Sequence, residues 1–500
     1  MAPAKINCLV EIFNLIPKII LKKFSKIRAI GYFLFLLIVQ CSYVIFAQTQ
    51  ELKELPVFTV DAAKSAGSFK PINGVNGGPR INLANSFDNS EYFKLIEPPY
   101  IRLHDTPYAD EGTVDIHLIF PNFNANENDP ANYHFEKTDL NINMILKTGS
   151  KVIFRLGESI ENGMPRYYVN PPADFKKWVR ICCNIIRHYN MGWANGFKWD
   201  IQRWEIWNEP DVPACWTGTM TQYCELYQQA AIAIKKLDPA LKVGGPALGG
   251  SLDSEKGREF LGFCRDNKVP LDFVSWHGYA DHPDKLMKKI ESGIITLKEY
   301  GFQNIETVFD EWNYNANGNW NSELREKNRE AFLKTTGAPG AAFTASMLAY
   351  FLDSELDIAC YYAAYGSIFR FGLFDIYGVP KKPFYAFEAY NKLMKYGSRI
   401  DAIGNNRETG LGIIAAVNTK NLTTAVLLSN FEDEASRFVL KLNNLPIADR
   451  LYCTEYVIDE VRSLEWDREQ VLSSANSQLI VELPKASVRL LLFTPQALKK

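Results

Sequence analysis

Two glutamates stand at the ends of two separate strand-like segments of this chain. Glu209 follows the apolar residues 204–207 within an Asn-Glu-Pro sequence, and Glu311 follows residues 307–310. Hydrolysis of a glycosidic bond needs two such carboxyl groups, one as acid and one as nucleophile or base. A single strand-end glutamate could equally cap a loop or pair with an arginine. The presence of two favours the catalytic interpretation.

The bulk composition narrows the class of protein. Among the 500 residues, 47% are hydrophobic and 22% are charged, which is typical of a globular protein, and the formal net charge is −2. This charge provides no basic field for nucleic acid, so no nucleic-acid partner is expected. The length exceeds that of one ordinary core and predicts two folded domains.

The N-terminal 47 residues have the pattern of a targeting segment. Lys18, Lys22, Lys23, Lys26 and Arg28 precede an apolar run over residues 29–47. A basic region followed by an apolar region predicts an export signal, with cleavage after Ala47. The same run is long enough to span a bilayer as an uncleaved anchor, which would tether the protein to a membrane. Either alternative predicts a secreted, periplasmic or cell-envelope protein.

The cysteines and histidines do not form a metal-binding pattern. Seven of the nine cysteines follow residue 47, and none has the spacing of a metal knuckle. Most are expected to be small buried residues, with a Cys215–Cys224 bridge as the alternative. The six histidines include no His-Glu-x-x-His spacing, so no metal site is predicted. Proton transfer and covalent capture by carboxylates need no cofactor, and none is expected.

Eight short apolar segments alternate with helical patterns between residues 71 and 397. The segments are residues 72–75, 100–104, 151–156, 204–207, 241–244, 273–276, 307–310 and 358–362. This alternation predicts an α/β fold, a (β/α)8 TIM barrel, whose functional residues lie at the C-terminal ends of the strands. Both glutamates occupy such ends.

The pattern changes after residue 397. Six β-rich runs, without a long helix between them, predict a C-terminal antiparallel β-sandwich domain over residues 398–500. They are residues 410–417, 424–428, 438–442, 451–457, 478–483 and 488–493. Residues 48–70 form an N-terminal segment that could add a strand to this sandwich.

Strand alternation predicts which residues of the fourth segment face the barrel axis. Glu205, Trp207 and Glu209 should point inward together, because successive side chains lie on opposite faces of a strand. Glu205 then lies deep in the barrel, where a carboxylate needs a cationic partner. Arg102 and Arg155 are the candidates. Glu205 is therefore predicted to be structural, and Glu209 to be the group that a substrate reaches.

Several motifs, taken together in their order along the chain, carry a family resemblance. They are Ile-Arg-Leu-His at 101–104, Phe-Arg-Leu-Gly-Glu at 154–158, residues 204–210, Val-Gly-Gly-Pro at 243–246, residues 272–279 and residues 371–378. With these motifs the chain resembles glycoside hydrolase family 39, the β-xylosidases and α-L-iduronidases of the retaining barrel glycosidases. The resemblance covers nearly all of residues 70–500.

The resemblance implies roles for individual residues. It makes Glu209 the general acid/base, Glu311 the nucleophile and Asn208 a ligand of the sugar 2-hydroxyl. The further substrate-binding residues that it implies are Arg102, His104, Glu158, His277, Tyr279 and Trp312. The implied activity is exo-acting and β-xylosidase-like hydrolysis of a glycoside or oligosaccharide, by double displacement through a covalent glycosyl-enzyme.

One departure from the family pattern leaves other activities open. Asp310 precedes the second glutamate, where the family often has threonine, and the resulting Asp-Glu-Trp-Asn sequence resembles arabinofuranosidases of a sister family. An α-L-arabinofuranosidase or another glycosidase of the clan is thus one alternative. A non-catalytic sugar-binding barrel is another. Alternation predicts that the Asp310 side chain points away from the axis, unless loop geometry returns it to the cleft.

Overall fold

The computed structural model describes residues 55–82, 87–103, 113–317, 325–364, 371–447 and 450–498. The predicted export segment and His104 lie outside these ranges. Within them, no helix combines the length and the apolar character needed to cross a membrane. The chain from Val57 onward forms one compact unit.

Eight parallel strands close into a barrel, as the sequence predicts. The strands are, in chain order, Gly74–Asn76, Tyr100–Arg102, Lys151–Leu156, Arg203–Ile206, Lys242–Leu248, Phe273–Ala280, Glu306–Tyr314 and Ile358–Tyr361. Each strand pairs in parallel with the next, and the eighth pairs with the first, where Cys360 lies opposite Gly74. Closure brings all eight C-terminal strand ends to one mouth.

Helices follow the barrel strands and cover them. They are Ser90–Ile96, Ile116–Ile119, Glu136–Lys147, Phe175–Met191, Met220–Leu237, Glu255–Asp266, Pro283–Glu299, Arg325–Thr336, Ala338–Asp353 and Lys382–Met394. Local sequence fixes several of their ends. Thr219 and Gln222 form a reciprocal capping box at the start of Met220–Leu237, and Gly192 ends Phe175–Met191 in the left-handed conformation.

The barrel interior is layered. Its lower part is an apolar cluster of six buried side chains: Tyr100, Ile153, Phe273, Val308, Ile358 and Cys360. The next inward positions toward the mouth are polar and fully buried: Arg102, Arg155, Glu205, His277 and Asp310. The apolar layer fills the barrel below these polar groups, so they lie on its mouth side.

A nine-stranded sheet lies beside the barrel. Its strands are Val57–Ser65, Ser398–Ile403, Leu411–Asn418, Thr423–Asn430, Arg437–Asn443, Leu451–Ile458, Ser463–Leu472, Ser477–Glu482 and Ser487–Thr494. The described pairings are antiparallel except for one, in which Val57–Ser65 pairs in parallel with Arg437–Asn443. The sheet encloses its own apolar core. Sequence patterning missed Ser398–Ile403 and Ser463–Leu472; the second is a mostly solvent-facing edge strand.

The helix Ala338–Asp353 lies between the barrel and this sheet. Fourteen of its sixteen residues are buried, so it has no solvent face. On the sheet side, Ser346 Oγ donates a hydrogen bond to the Gly410 carbonyl at 2.6 Å, and Tyr350 donates to the Leu411 carbonyl at 2.6 Å. On the barrel side, Phe351 packs edge-on against Trp312.

The cysteines of the described chain are all reduced and buried. Cys215 and Cys224 do not form the bridge that was considered as an alternative. Burial raises the pKa of the Cys224 thiol to about 12, so this thiol stays protonated at neutral pH.

Candidate active site

Glu205 lies in the barrel interior with the partner that a buried carboxyl needs. Arg102 Nε donates to Glu205 Oε2 at 2.6 Å, and both side chains are fully buried. Of the two arginines considered for this place, Arg102 is the partner. Arg155 instead donates from Nη2 to Asp115 Oδ1 at 2.7 Å. The predicted pairing of Glu205 with an arginine is confirmed.

The strand alternation predicted for the fourth segment fails at Trp207. The strand ends at Ile206, and Trp207 has a left-handed φ of 67°. Its ring packs against Trp178 and Trp216, and its Nε1 donates to the Cys215 carbonyl at 2.8 Å. The left-handed residue breaks the two-residue period, so Asn208 rather than Trp207 turns toward Arg102. The inward orientation predicted for Trp207 is wrong.

A β-bulge in the seventh strand reorients its polar residues. Phe309 lies opposite Trp276 and Glu311 lies opposite His277, which leaves Asp310 as the extra residue. Because a bulge adds one residue to the period, the side chains of both Asp310 and Glu311 face the axis. Asp310 Oδ2 lies 3.1 Å from Arg102 Nε. The expectation that Asp310 points away is wrong.

Trp312 follows the bulge and faces the helices. Its ring packs edge-on against Phe351 and Tyr361, each with a centroid separation of 5.0 Å, and it is fully buried. This position lies behind the strand and does not support the predicted contact between Trp312 and a substrate.

The two strand-end glutamates meet across the barrel mouth beside His277. One carboxylate oxygen of Glu209, one of Glu311 and a ring nitrogen of His277 all lie within 4.8 Å of one another. His277 Nδ1 lies 2.8 Å from Glu209 Oε1 and 3.5 Å from Glu311 Oε2. The side chain of Glu209 is 17% exposed and that of Glu311 is 5% exposed, so Glu209 is the more open to the mouth. Cys215 Sγ donates to Glu209 Oε2 at 3.3 Å.

Hydrogen-bond donors hold the Glu311 carboxylate at both oxygens. Arg102 Nη1 donates to Oε1 at 2.8 Å, and the Tyr279 hydroxyl donates to Oε2 at 2.6 Å. Charge-assisted hydrogen bonds of this kind stabilise the ionised form of a carboxyl group. Glu311 is therefore buried and held in one orientation by donors at both oxygens.

Arg102 also orients the amides around it. Its Nη2 donates to Asn208 Oδ1 at 2.8 Å, and its Nη1 donates to Asn76 Oδ1 at 3.2 Å. Asn76 in turn donates from Nδ2 to the Asp310 carbonyl at 2.7 Å, at the bulge itself. Sequence reasoning missed Asn76; the available signal was a polar side chain at the end of the first barrel strand.

The buried ionisable groups below the two glutamates have shifted pKa values. Burial disfavours the charged form of His277, but the carboxylates Glu311 and Asp310 raise its pKa well above the ordinary value. Burial also opposes ionisation of Asp310, yet Arg102 and His277 lower its pKa. For Glu205, burial is the largest effect and raises the pKa, although Arg102 opposes it. These shifts favour the charged forms of Arg102, His277 and Asp310 and the neutral form of Glu205.

Glu158 lies apart from this cluster. Its Oε2 is 2.5 Å from His117 Nδ1, and its Oε1 accepts a hydrogen bond from the His117 backbone at 3.1 Å. Burial raises the pKa of Glu158 to about 7. Of the residues predicted to form the site, Arg102, Asn208, Glu209, His277, Tyr279 and Glu311 are brought together, whereas Glu158 pairs separately with His117.

Known proteins resemble this chain in sequence and in fold. The model of glycosyl hydrolases family 39 matches residues 100–468. A β-xylosidase from Caldicellulosiruptor saccharolyticus is 27% identical over 353 residues, which cover 63% of this chain and 69% of that protein. A second β-xylosidase, from Geobacillus stearothermophilus, is 25% identical, and the match covers 63% of this chain and 67% of that protein. The structure of a glucosidase from Croceicoccus marinus superposes with a TM-score of 0.75 and 23% sequence identity. The superposition covers 89% of this chain and 100% of the glucosidase chain.

Proposed function

We propose that this chain, which belongs to glycosyl hydrolases family 39, is a retaining and exo-acting glycosidase of the β-xylosidase type. One observation supports the retaining mechanism: one carboxylate oxygen of Glu209 and one of Glu311 lie within 4.8 Å of each other. Retaining pairs are about 5–5.5 Å apart, whereas inverting pairs are about 6.5–9.5 Å apart to admit a water molecule. The short separation supports direct attack by one carboxylate.

In the first step, a Glu311 oxygen forms a bond to the anomeric carbon as the glycosidic bond breaks. The leaving oxygen takes the bonding electron pair and receives the proton of Glu209. The assignment of the two roles follows their surroundings, because Glu311 is the buried anion held by Arg102 and Tyr279. Glu209 is the more exposed group, which suits an acid that meets the leaving group and later water.

In the second step, Glu209 takes a proton from water, whose oxygen attacks the anomeric carbon and releases Glu311 as a carboxylate. The negative charge therefore alternates between Glu311 in the free enzyme and Glu209 in the intermediate. His277 Nδ1 contacts both carboxyls, at 2.8 and 3.5 Å. One cation thus faces the anion in each state, so the site needs no rearrangement between the two steps.

Asn208 is placed to bind the sugar. Its Oδ1 accepts from Arg102, which leaves its amide Nδ2 as the donor for a sugar hydroxyl. The family resemblance assigns this contact to the sugar 2-hydroxyl, next to the reacting carbon. Hydrogen bonds to this hydroxyl strengthen in the transition state.

The names of two relatives support xylosides as substrates, because both are β-xylosidases at 27% and 25% identity. A specific observation favours a second candidate, an α-L-arabinofuranosidase. Asp310 is part of the buried network under Glu311, 3.1 Å from Arg102 Nε, and the Asp-Glu-Trp-Asn sequence resembles that group. Hydrolysis rates on an aryl xyloside, arabinofuranoside, galactoside, glucoside and iduronide distinguish β-xylosidase from α-L-arabinofuranosidase activity.

Replacement of each glutamate by alanine tests the roles. Both Glu209→Ala and Glu311→Ala should lose most activity on an aryl xyloside. Azide should rescue Glu209→Ala with retention at the anomeric carbon, because azide then attacks the covalent intermediate. It should rescue Glu311→Ala with inversion, because azide replaces the nucleophile. NMR of the glycosyl azides distinguishes these outcomes, and turnover like that of the wild type in either variant contradicts the proposal.

A further inference from the structure

We infer that Cys215 is a positioning residue that sets how readily Glu209 gives up its proton to the leaving group. This inference rests on the proposed function, in which Glu209 protonates the leaving oxygen. The sequence predicts a small buried cysteine, and Cys215 is fully buried. It is buried against a reacting group, because its Sγ donates to Glu209 Oε2 at 3.3 Å.

The backbone holds the thiol in this place. Val212 N donates to the Glu209 carbonyl at 2.9 Å, and Cys215 N donates to the Val212 carbonyl at 2.9 Å. Two successive turns therefore carry the chain from Glu209 back to its own side chain. Trp207 Nε1 donates to the Cys215 carbonyl at 2.8 Å and fixes the end of this segment. The contact between thiol and carboxyl is thus built into residues 207–215 and needs no substrate to form it.

The two oxygens of Glu209 meet different partners. Oε1 lies 2.8 Å from His277 Nδ1, and Oε2 lies 3.3 Å from Cys215 Sγ. Burial disfavours the imidazolium form of His277, but Glu311 and Asp310 raise its pKa, which favours a proton on both ring nitrogens. A protonated Nδ1 donates to Oε1, so the acid proton of Glu209 belongs on Oε2. This is the oxygen that Cys215 contacts.

A thiol at Oε2 differs from the groups that could replace it. Sulfur is a weak hydrogen-bond donor and a weak acceptor, so it neither retains the proton on Oε2 nor strongly stabilises the carboxylate. A serine hydroxyl in the same place would donate more strongly to the ionised carboxyl, and alanine would donate nothing. Donors to a carboxylate favour its ionised form. Serine should therefore make Glu209 a stronger acid, and alanine should make it a weaker one.

Other charged groups surround Glu209, and all of them are kept when Cys215 is replaced. They are His277 and Glu311 from the sixth and seventh barrel strands, Lys289 from the helix Pro283–Glu299, and Asp211 and Asp253 from the loops after the fourth and fifth strands. A difference between variants at position 215 therefore reports the group that contacts Oε2.

The pH dependence of kcat/KM tests the inference, because its basic limb reports loss of the acid proton in the free enzyme. Phenyl β-xyloside has a leaving group that needs protonation. On this substrate Cys215→Ser should move the basic limb to lower pH and Cys215→Ala should move it to higher pH, each by about 0.5–1 unit. On 2,4-dinitrophenyl β-xyloside, whose leaving group departs without a proton, both variants should keep wild-type kcat/KM over the same pH range.

Cys224→Ala is the matched control, because it removes another fully buried thiol, on the helix Met220–Leu237. Its basic limb should coincide with that of the wild type on both xylosides. Melting temperatures show which variants are folded. If one of the two Cys215 variants fails to fold, the other decides, since each shift has its own sign.

Opposite shifts of the two Cys215 variants support the inference. A limb that stays in place, or that moves in the same direction in both variants, overturns it and leaves the proposed function intact. Equal losses on both xylosides at every pH also overturn it, since they indicate altered packing around the sugar. If the wild type hydrolyses neither xyloside, the profiles are measured on the phenyl and dinitrophenyl glycosides that it does hydrolyse. Hydrolysis of no aryl glycoside contradicts the proposed function, and the inference falls with it.

Discussion

Removal of the hydrogen bond from Tyr279 to Glu311 tests how the enzyme stabilises the carboxylate of the proposed nucleophile. The Tyr279 hydroxyl lies 2.6 Å from Glu311 Oε2. Its ring rests against Phe371 and Tyr362, with centroid separations of 5.3 and 6.2 Å. Tyr279→Phe therefore removes the hydroxyl and keeps the ring in place, while Arg102 still holds the other oxygen of Glu311.

The size of the effect follows from the charge of Glu311 in each state. A hydrogen bond to a charged group contributes about 1.5–3 kcal/mol. Glu311 is charged in the free enzyme, neutral as the sugar ester, and charged again as it leaves the anomeric carbon. The missing hydroxyl therefore slows the second step most, by about 10- to 100-fold at 1.4 kcal/mol per tenfold. We expect kcat and KM to fall together while kcat/KM changes little, because the intermediate accumulates.

Pre-steady-state kinetics with 2,4-dinitrophenyl β-xyloside measure this directly. Tyr279→Phe should show a burst of dinitrophenol equal to the enzyme concentration, and intact mass spectrometry should show the glycosyl-enzyme. Tyr227→Phe is the control, because it removes a buried hydroxyl that donates to the Pro270 carbonyl at 3.1 Å, away from the mouth. Its kcat should match the wild type. A raised KM without a burst in Tyr279→Phe would refute the reasoning and place the hydroxyl on the sugar.

Two further substitutions probe the surroundings. In Gly249→Ala the new Cβ would lie 2.7 Å from Glu209 Oε1, so kcat should fall by about 100-fold with little change in melting temperature. The control is Gly262→Ala, whose new Cβ would have its nearest neighbouring atom at 3.4 Å. Full activity of Gly249→Ala would contradict this geometry. Glu205→Gln probes a carboxyl whose pKa burial raises to about 8. Such a group stabilises the fold below its unfolded pKa and loses that contribution as the pH rises through the folded value. Urea unfolding should thus show Glu205→Gln gaining stability relative to wild type between about pH 4.5 and pH 8, and a constant difference would mean that Glu205 is ionised throughout.

The barrel and most of the cluster could be predicted because they depend on short-range patterns. Apolar segments of strand length, alternating with helical periods, define the eight strands. Parallel strands bring their C-terminal ends to one mouth, so polar residues at those ends meet whatever their separation in sequence. Glu209 and Glu311 are 102 positions apart in the chain and share a contact with His277.

The orientations at two strand ends could not be predicted, because they depend on local departures from regular backbone. The left-handed Trp207 is stabilised by rings from two other segments, and the bulge at Asp310 is held by the amide of Asn76 from the first strand. Neither cause is visible in the local sequence. The edge strand Ser463–Leu472 was missed for a different reason: residues 467–469 are consecutive charged residues, so the strand lacks the apolar alternation of a half-buried strand.

The buried helix Ala338–Asp353 has a consequence for how the molecule folds. Since one face contacts the barrel and another contacts the nine-stranded sheet, barrel and sheet complete each other's packing. A barrel ending at residue 397 would expose the apolar face of this helix to water and would tend to aggregate. The sheet therefore covers an apolar face of the barrel domain, and we expect the barrel and the sheet to unfold together in one transition.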